Sequence, residues 1–508
     1  MLERRRTSVP SLRLRGVVPR SRVGAGRRTL AGPTVAAGVI ALAMVALSTS
    51  GPAAKPVAYA ERALRSQTAV LTPGGTVSVG PATALERFVG TNVLLTEEGA
   101  ATHQASVLLA SAQRGWVAEG TVPGPARYED MARQALLDLD TLLLDGGALL
   151  AAPIGAWRYT WPRDASFAAV ALSRTGHPVQ AADVLMFLAQ VQEPDGTFQA
   201  RYLPDGSGDV PDDRGTQLDG DGWFLWAAAE WYAQAPAGRA REATLAELLP
   251  ALTGALDAID AVTDPVTGLP DPSPDYWEVR EDSVTLGSIS ALLLGVRSAQ
   301  ELAADVATSA PSSGTGASSW SRDMTRRGAR LERLIDGAVQ TAFAPDGYPR
   351  RAEGEERDAA VAFLLPPFAD GSAEVAAAWE GAAVGMLRPA GGLAPGEGWK
   401  QDGISWTPQT ALFALTAAAS GDAVRAEEWL DWLDAHRTAA GSLPEKVLWD
   451  GRPAAVAPLA WTAALVLLAL AELDDAAAQA AATSPFVVPA LNGVRVAGAG
   501  AGVVRVAG

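Results

Sequence analysis

Five stretches of this 508-residue chain gather side chains that can do chemistry. The densest is Trp157 to Asp164, Trp-Arg-Tyr-Thr-Trp-Pro-Arg-Asp, with three aromatics, two arginines and a carboxylate in eight positions. The other four are 205–221, which runs on through Gln217-Leu218-Asp219-Gly220-Asp221-Gly222-Trp223; 275–282, with Tyr276-Trp277-Glu278; 398–406, with Trp399-Lys400 and Trp406; and 441–447, with Leu443-Pro444-Glu445-Lys446. Each of the four brings a carboxylate and three bring tryptophan. A sugar ring has apolar C–H faces and a rim of hydroxyls, so a site that holds it pairs aromatic platforms with forked, charged hydrogen-bonding groups. Hydrolysis of a glycosidic bond adds a demand for two carboxyls in unlike environments, one protonated to assist the leaving oxygen and one ionised to activate water or attack. The bland alternative for the octet is an aromatic-rich helix start carrying a surface Arg-Asp pair.

The elements that must position these groups read as helix after helix. Apolar periodicity predicts helices over 126–144, 163–175, 178–192, 221–234, 244–262, 285–306, 319–343, 373–387, 406–420, 422–436 and 458–482, with a shorter one at 356–365. Pro162 suits a first helical turn, where its missing N–H costs nothing, and would put Arg163 and Asp164 at that helix's start. Leu245, Leu248, Leu249, Leu252, Leu256 and Ile259 form a one-faced stripe, with Pro250 as the expected kink. Strand alternation is nearly absent, so the pattern predicts an all-α stack of helical hairpins whose longer loops carry the chemistry. Residues 61–125 read differently, as an N-terminal arm: 70–79 alternates around Gly74-Gly75 like a hairpin, and 91–95 and 105–109 are short apolar runs. Residues 310–318 read as a surface excursion and 484–508 as a low-complexity tail.

Composition narrows the partners. A formal charge of −16 opposes nucleic-acid binding, which depends on basic patches. The absence of cysteine removes disulfides, thiolate nucleophiles and zinc-thiolate sites. Nine arginines against the single Glu3 in residues 1–28 are followed by an uncharged, apolar run and by Ala58-Tyr59-Ala60, the order of a signal peptide over 1–60. As a helix, 31–47 would span about 26 Å against the roughly 30 Å of a bilayer core. Cleavage near Glu61 is therefore expected over anchoring, and the body lies outside the cytoplasm, on the membrane's outer face if the segment stays uncleaved. His103, His177 and His436 are too scattered for a metal site or triad. A calcium loop at 205–221 fails because Val210 stands where glycine is required and no bidentate Glu follows. Neither a metal nor a cofactor is expected.

Tyr159-Thr160-Trp161-Pro162-Arg163-Asp164, Gln217-Leu218-Asp219, Tyr276-Trp277-Glu278, Leu443-Pro444-Glu445 and Pro458-Leu459-Ala460-Trp461, in this order and spacing, resemble the glucoamylase and glucodextranase family, glycoside hydrolase family 15. The resemblance covers 126–482. It implies an (α/α)6 barrel over 126–483 and an inverting, exo-acting hydrolase that releases glucose from α-linked oligo- or polysaccharides. By the same resemblance Glu278 is the general acid and Glu445 the general base; Arg163 and Asp164 bind the terminal sugar; Trp161, Trp223 and Trp277 are walls. Tyr159, Lys400 and Trp461 complete the expected binding set.

Two departures bear on substrate. Trp157 stands where the family usually has a tyrosine, and Gly398 where an arginine is expected before Asp402, leaving Lys400 as a weaker stand-in because a point charge cannot make a bidentate contact. Glu281 and Asp282 are read as caps of the helix that begins near Thr285. Two other functions fit the pattern less well: a phosphorylase, which needs an anion pocket and no base, and a non-catalytic glycan-binding protein, which needs the tryptophans and neither carboxylate.

Overall fold

The structure, a computed structural model, describes residues 59–79, 86–96, 99–309 and 315–483. The expected signal up to residue 58 and the tail from 484 onward lie outside the described residues, as does 310–314 of the expected surface excursion; residues from 315 belong to a helix. No helix among the described residues is long and apolar enough to cross a membrane.

Twelve α-helices are described: α1 (Ala100–Glu119), α2 (Glu129–Leu142), α3 (Pro162–Arg174), α4 (Pro178–Val191), α5 (Asp219–Gln234), α6 (Arg239–Val262), α7 (Leu286–Ser309), α8 (Thr315–Ala342), α9 (Ala373–Met386), α10 (Thr407–Ala419), α11 (Ala423–Ala435) and α12 (Ala460–Thr483). Packing closes an inner ring in the order α3, α5, α7, a short 3-10 helix at Ala359–Leu364, α10, α12 and back to α3. The outer helices α2, α4, α6, α8, α9 and α11 each lie against one of these, completing an (α/α)6 barrel whose fourth inner member is only a 3-10 turn. Composition explains the two rings. Every residue of α3 but Arg174, and every residue of α10 but Ala419, is buried; alanine and leucine all round suit a helix with neighbours on every side. On the outer α6 only one stripe is covered, Leu245, Leu248, Leu252, Leu256 and Ile259, and the helix runs on through an exposed Pro250.

Glycine lets the inner ring tighten between α5 and α7. A Cβ on Gly222 would lie 2.0 Å from the carbonyl oxygen of Ala291, and one on Gly295 would lie 2.5 Å from the Gly222 Cα. The core between the inner helices is aromatic: Phe167 meets Trp223 and Trp226 at 4.9 Å and Phe368 and Trp461 at 5.9 Å between ring centroids.

The arm contains the expected hairpin, β1 (Val70–Leu71) pairing antiparallel with β2 (Val77–Ser78). The run 105–109 is not extended; it lies inside α1, a helix not foreseen. The buried face of α1 is Ser106, Ala110, Gln113 and Val117, so its stripe holds two polar residues and carries little apolar signal. Gln113 belongs there because its carbonyl accepts from the Asn92 backbone N–H at 2.6 Å and its amide donates to Asp140 at 2.7 Å. Before the hairpin, residues 59–68 run beside the segment that follows Glu445, with Arg65 N donating to Ala455 O at 2.6 Å and Ala457 N to the Ser66 hydroxyl at 3.0 Å, and start against the loop before α10, where Ala60 N donates to Asp402 O at 2.9 Å.

Candidate active site

A cavity of about 260 Å³ draws its walls from all five stretches singled out in the sequence or from residues beside them. Trp157, Trp161, Arg163 and Asp164 come from the octet, Arg214 from the loop before α5, and Trp277 and Glu278 from the loop before α7. Trp399 and Trp406 precede α10, Glu445 and Lys446 precede α12, and Trp461 lies on α12 itself.

Arg163 ties the centre together. Pro162 opens α3, so the guanidinium of the next residue projects from the first turn. There Nη1 donates to Asp219 Oδ2 at 3.1 Å, Nη2 donates to Glu278 Oε1 at 3.2 Å, and the group lies 5.0 Å from the centre of the Trp461 ring. A buried guanidinium with carboxylate partners stays charged. Asp164, also buried, is pushed up to about 7: burial disfavours its charge, Arg163 opposes this, and the Glu278 and Asp219 carboxyls add to it.

Glu278 sits on a constrained loop. Its φ of 55° places a non-glycine residue in the left-handed region, which costs about 1–2 kcal/mol. The surroundings enforce it. Arg350 Nη2 reaches both Asp275 Oδ1 and Glu281 Oε1 at 2.8 Å, its guanidinium lies 3.9 Å from the Trp277 ring centre, and Asp358 takes Nη1. One buried cation thus grips the loop before and after Glu278. Glu281 is therefore part of this network and not a helix cap; the Thr285 hydroxyl takes that role, accepting from Ser288 N at 3.2 Å. The carboxyl of Glu278 meets cations on both oxygens, Arg163 on Oε1 and Arg214 on Oε2 at 2.7 Å.

Glu445 has other surroundings. It immediately precedes the central strand of a small antiparallel sheet, β3 (Ser405–Trp406), β4 (Lys446–Val447) and β5 (Pro453–Ala454). Its backbone N–H donates to Val456 O at 2.8 Å and its carbonyl accepts from Thr407 N at 3.1 Å. Lys446 lies opposite Trp406, with Nζ 4.0 Å from that ring's centre and 3.4 Å from Glu445 Oε1. Burial raises the Glu445 carboxyl above its usual range, and Lys446 only partly opposes this. Its Oε2 is enclosed without a hydrogen-bond partner.

The structure moves three expected binding residues out of the wall. Trp223 is fully buried one turn after Asp219 on α5, and its N–H donates to Asp219 Oδ2 at 3.2 Å; it supports the carboxylate that holds Arg163. Tyr159 lies one layer back. Thr160 pairs with Tyr202, so positions 159 and 161 share one side of the extended segment, and the Arg201 guanidinium lies 4.9 Å from both the Tyr159 and the Trp161 rings. Lys400 is exposed, its Nζ 5.2 Å from the Trp399 ring centre, and the lysine that does line the cavity is Lys446. Trp161, Arg163, Asp164, Trp277, Trp461, Glu278 and Glu445 all line it. Arg201 and Arg214 escaped the sequence reading because isolated arginines in a polar loop carry no pattern.

No protein-family model matches the chain and no curated protein is similar to it in sequence. Solved structures are similar in fold. A wild-type glycosidase superposes with a TM-score of 0.56 at 24% identity over 69% of this chain and 97% of its own. A bacterial glucoamylase complexed with acarbose gives 0.55 at 14% identity, over 75% of this chain and 62% of its own, and the glucoamylase of Saccharomycopsis fibuligera gives 0.52 at 13%, over 66% and 90%. The chain therefore has the (α/α)6 fold that these glycosidases and glucoamylases share.

Proposed function

We propose that the protein is a glycoside hydrolase, and that it releases glucose with inversion from the non-reducing end of α-linked glucosides. The observation that carries this reading is the pairing of Glu278 and Glu445 on one aromatic-walled cavity beside Arg163 and Asp164. The fold shared with glycosidases, one of them in complex with glucose, supports it. Arg163 and Asp164 bind hydroxyls of the terminal ring, Glu278 protonates the leaving oxygen, and Glu445 takes a proton from the water that attacks the anomeric carbon.

A phosphorylase needs a cation free to hold phosphate. Arg163, Arg201, Arg214 and Lys446 each already face a carboxylate. Proton NMR on freshly mixed enzyme and an α-linked glucose disaccharide tests the reading: β-glucose is expected first. An α-anomer appearing first, or turnover only with added phosphate, would sink it.

A further inference from the structure

The two oxygens of Glu278 are held in different ways. Oε1 accepts from Arg163 Nη2 at 3.2 Å and from Gln217 Nε2 at 3.0 Å, both nearly wholly buried residues. Oε2 accepts from Arg214 Nη1 at 2.7 Å, and Arg214 is a third exposed on the loop between Tyr202 and α5. A proton bound for the leaving group travels from the oxygen that the leaving group can reach. Oε1 is committed to two buried donors, so that oxygen is Oε2, and Arg214 occupies its hydrogen-bonding position. Arg214 also has a second partner: its Nε lies 3.2 Å from Asp212 Oδ2, and Asp212 is itself gripped by Arg201. The backbone beside it is pinned, the Gly215 carbonyl accepting from Ala200 N at 3.0 Å, so the movement available to Arg214 is that of its long, partly exposed side chain.

We propose that Arg214 is a displaceable partner of the acid: it holds Oε2 while the cavity is empty and retires to Asp212 when the leaving group arrives. The inference rests on Glu278 being the acid. As Arg214 withdraws, Oε2 takes a proton from solvent. That proton passes to the glycosidic oxygen as its bond to the anomeric carbon breaks, water adds to that carbon, and Glu445 accepts the water's proton.

The consequence is a difference between free and occupied enzyme. An adjacent cation favours a carboxylate over its acid, and in the proposal Arg214 is adjacent to Oε2 only while the site is empty. The other charged groups facing Glu278 are Arg163 and Asp164 from α3 and Asp219 from α5, with Arg350, Asp275 and Glu281 at the base of its own loop. All of these are buried; Arg214 is the one free to leave.

The test compares pH profiles for an α-linked glucose disaccharide. kcat/KM reports the free enzyme and kcat the complex. In the wild type the alkaline fall of kcat/KM is expected about one pH unit below that of kcat, the low end of the effect of one close opposite charge. Arg214→Gln, on an exposed loop and melting with the wild type, closes the gap, and Arg214→Lys keeps it. Coincident falls in the wild type, a gap that survives in Arg214→Gln, or one missing from Arg214→Lys overturns the proposal. α-Glucosyl fluoride, whose leaving group needs no proton, separates this from failure of the underlying reading. Turnover of fluoride and disaccharide with coincident limbs removes only the role of Arg214, whereas no turnover of either removes the hydrolase itself.

Discussion

Glu278 and Glu445 face one cavity from unlike surroundings. Glu278 stands on a loop held in the left-handed region by the buried Arg350, with a guanidinium on each oxygen. Glu445 is sealed beside a strand, with Lys446 near Oε1 and the Trp157 indole as a further group favouring its charge. Burial raises the second carboxyl, while the first is held by hydrogen bonds from two guanidinia. Two carboxyls kept in different environments are what acid–base division of labour requires, but the empty site sets the balance the other way round from the reaction. There the expected base is the group whose charge burial opposes, and the expected acid is the group whose oxygens are both taken by cations; the proposed withdrawal of Arg214 would free one of those oxygens.

The largest effect comes from removing each carboxyl in turn. Glu445→Gln is expected to lower turnover of every α-glucoside by roughly 10²–10⁴-fold, the usual worth of a positioned base. Glu278→Gln should do the same to a disaccharide while sparing α-glucosyl fluoride. Steady-state rates on the two substrates check this. If the fluoride survives instead in Glu445→Gln, the two roles are exchanged, as the raised Glu445 carboxyl would favour.

Next in size is the support of the Glu278 loop. Arg350→Met would leave Asp275 and Asp358 buried with no cation beside them, and Glu281 held by Arg351 alone; removing one partner of a buried ion cluster costs about 3–5 kcal/mol. Denaturant unfolding reads that loss. If Arg350 serves Glu278 in particular, the folded remainder should lose disaccharide turnover while keeping the fluoride; equal loss of both would mean that the whole cavity had collapsed.

How much of this was legible beforehand differs in the same way between the two regions. The inner helices are written plainly, because helices such as α3 and α10 are apolar on all sides and end at glycine or polar residues. Glu278 and Glu445 were found through the short motifs around them. The fourth inner member, expected as a short helix at 356–365, is a 3-10 turn at Ala359–Leu364; its place in the inner ring is what six residues are too few to signal. The Arg350 network was hidden because its members are 75, 69 and 8 positions from Arg350, and only folding brings them together. Trp223 misled for the opposite reason: next to a motif in sequence, it lies one helical turn after Asp219, buried against Phe167 and Trp226 in the core.

The smallest effect concerns Lys446. Its Nζ lies 3.4 Å from Glu445 Oε1 and is itself held over the Trp406 ring, so Lys446→Met removes one nearby charge and little packing. Burial already raises the Glu445 carboxyl and Lys446 lowers it; without the lysine the group takes up its proton at still higher pH. The base works only when ionised, so the acid limb of kcat/KM should move upward by about half to one pH unit, equivalent to about 1 kcal/mol. The sign for stability follows from the same shift. A carboxyl raised on folding contributes stability that is complete below its unfolded value and is lost as pH rises through the folded one. Raising Glu445 further enlarges that loss, so Lys446→Met should destabilise the protein more at pH 8 than at pH 4, as thermal melts at the two pH values would show. An acid limb that stays in place, with equal melting shifts at both pH values, would mean that Lys446 serves Trp406 alone and that burial by itself sets the charge of Glu445.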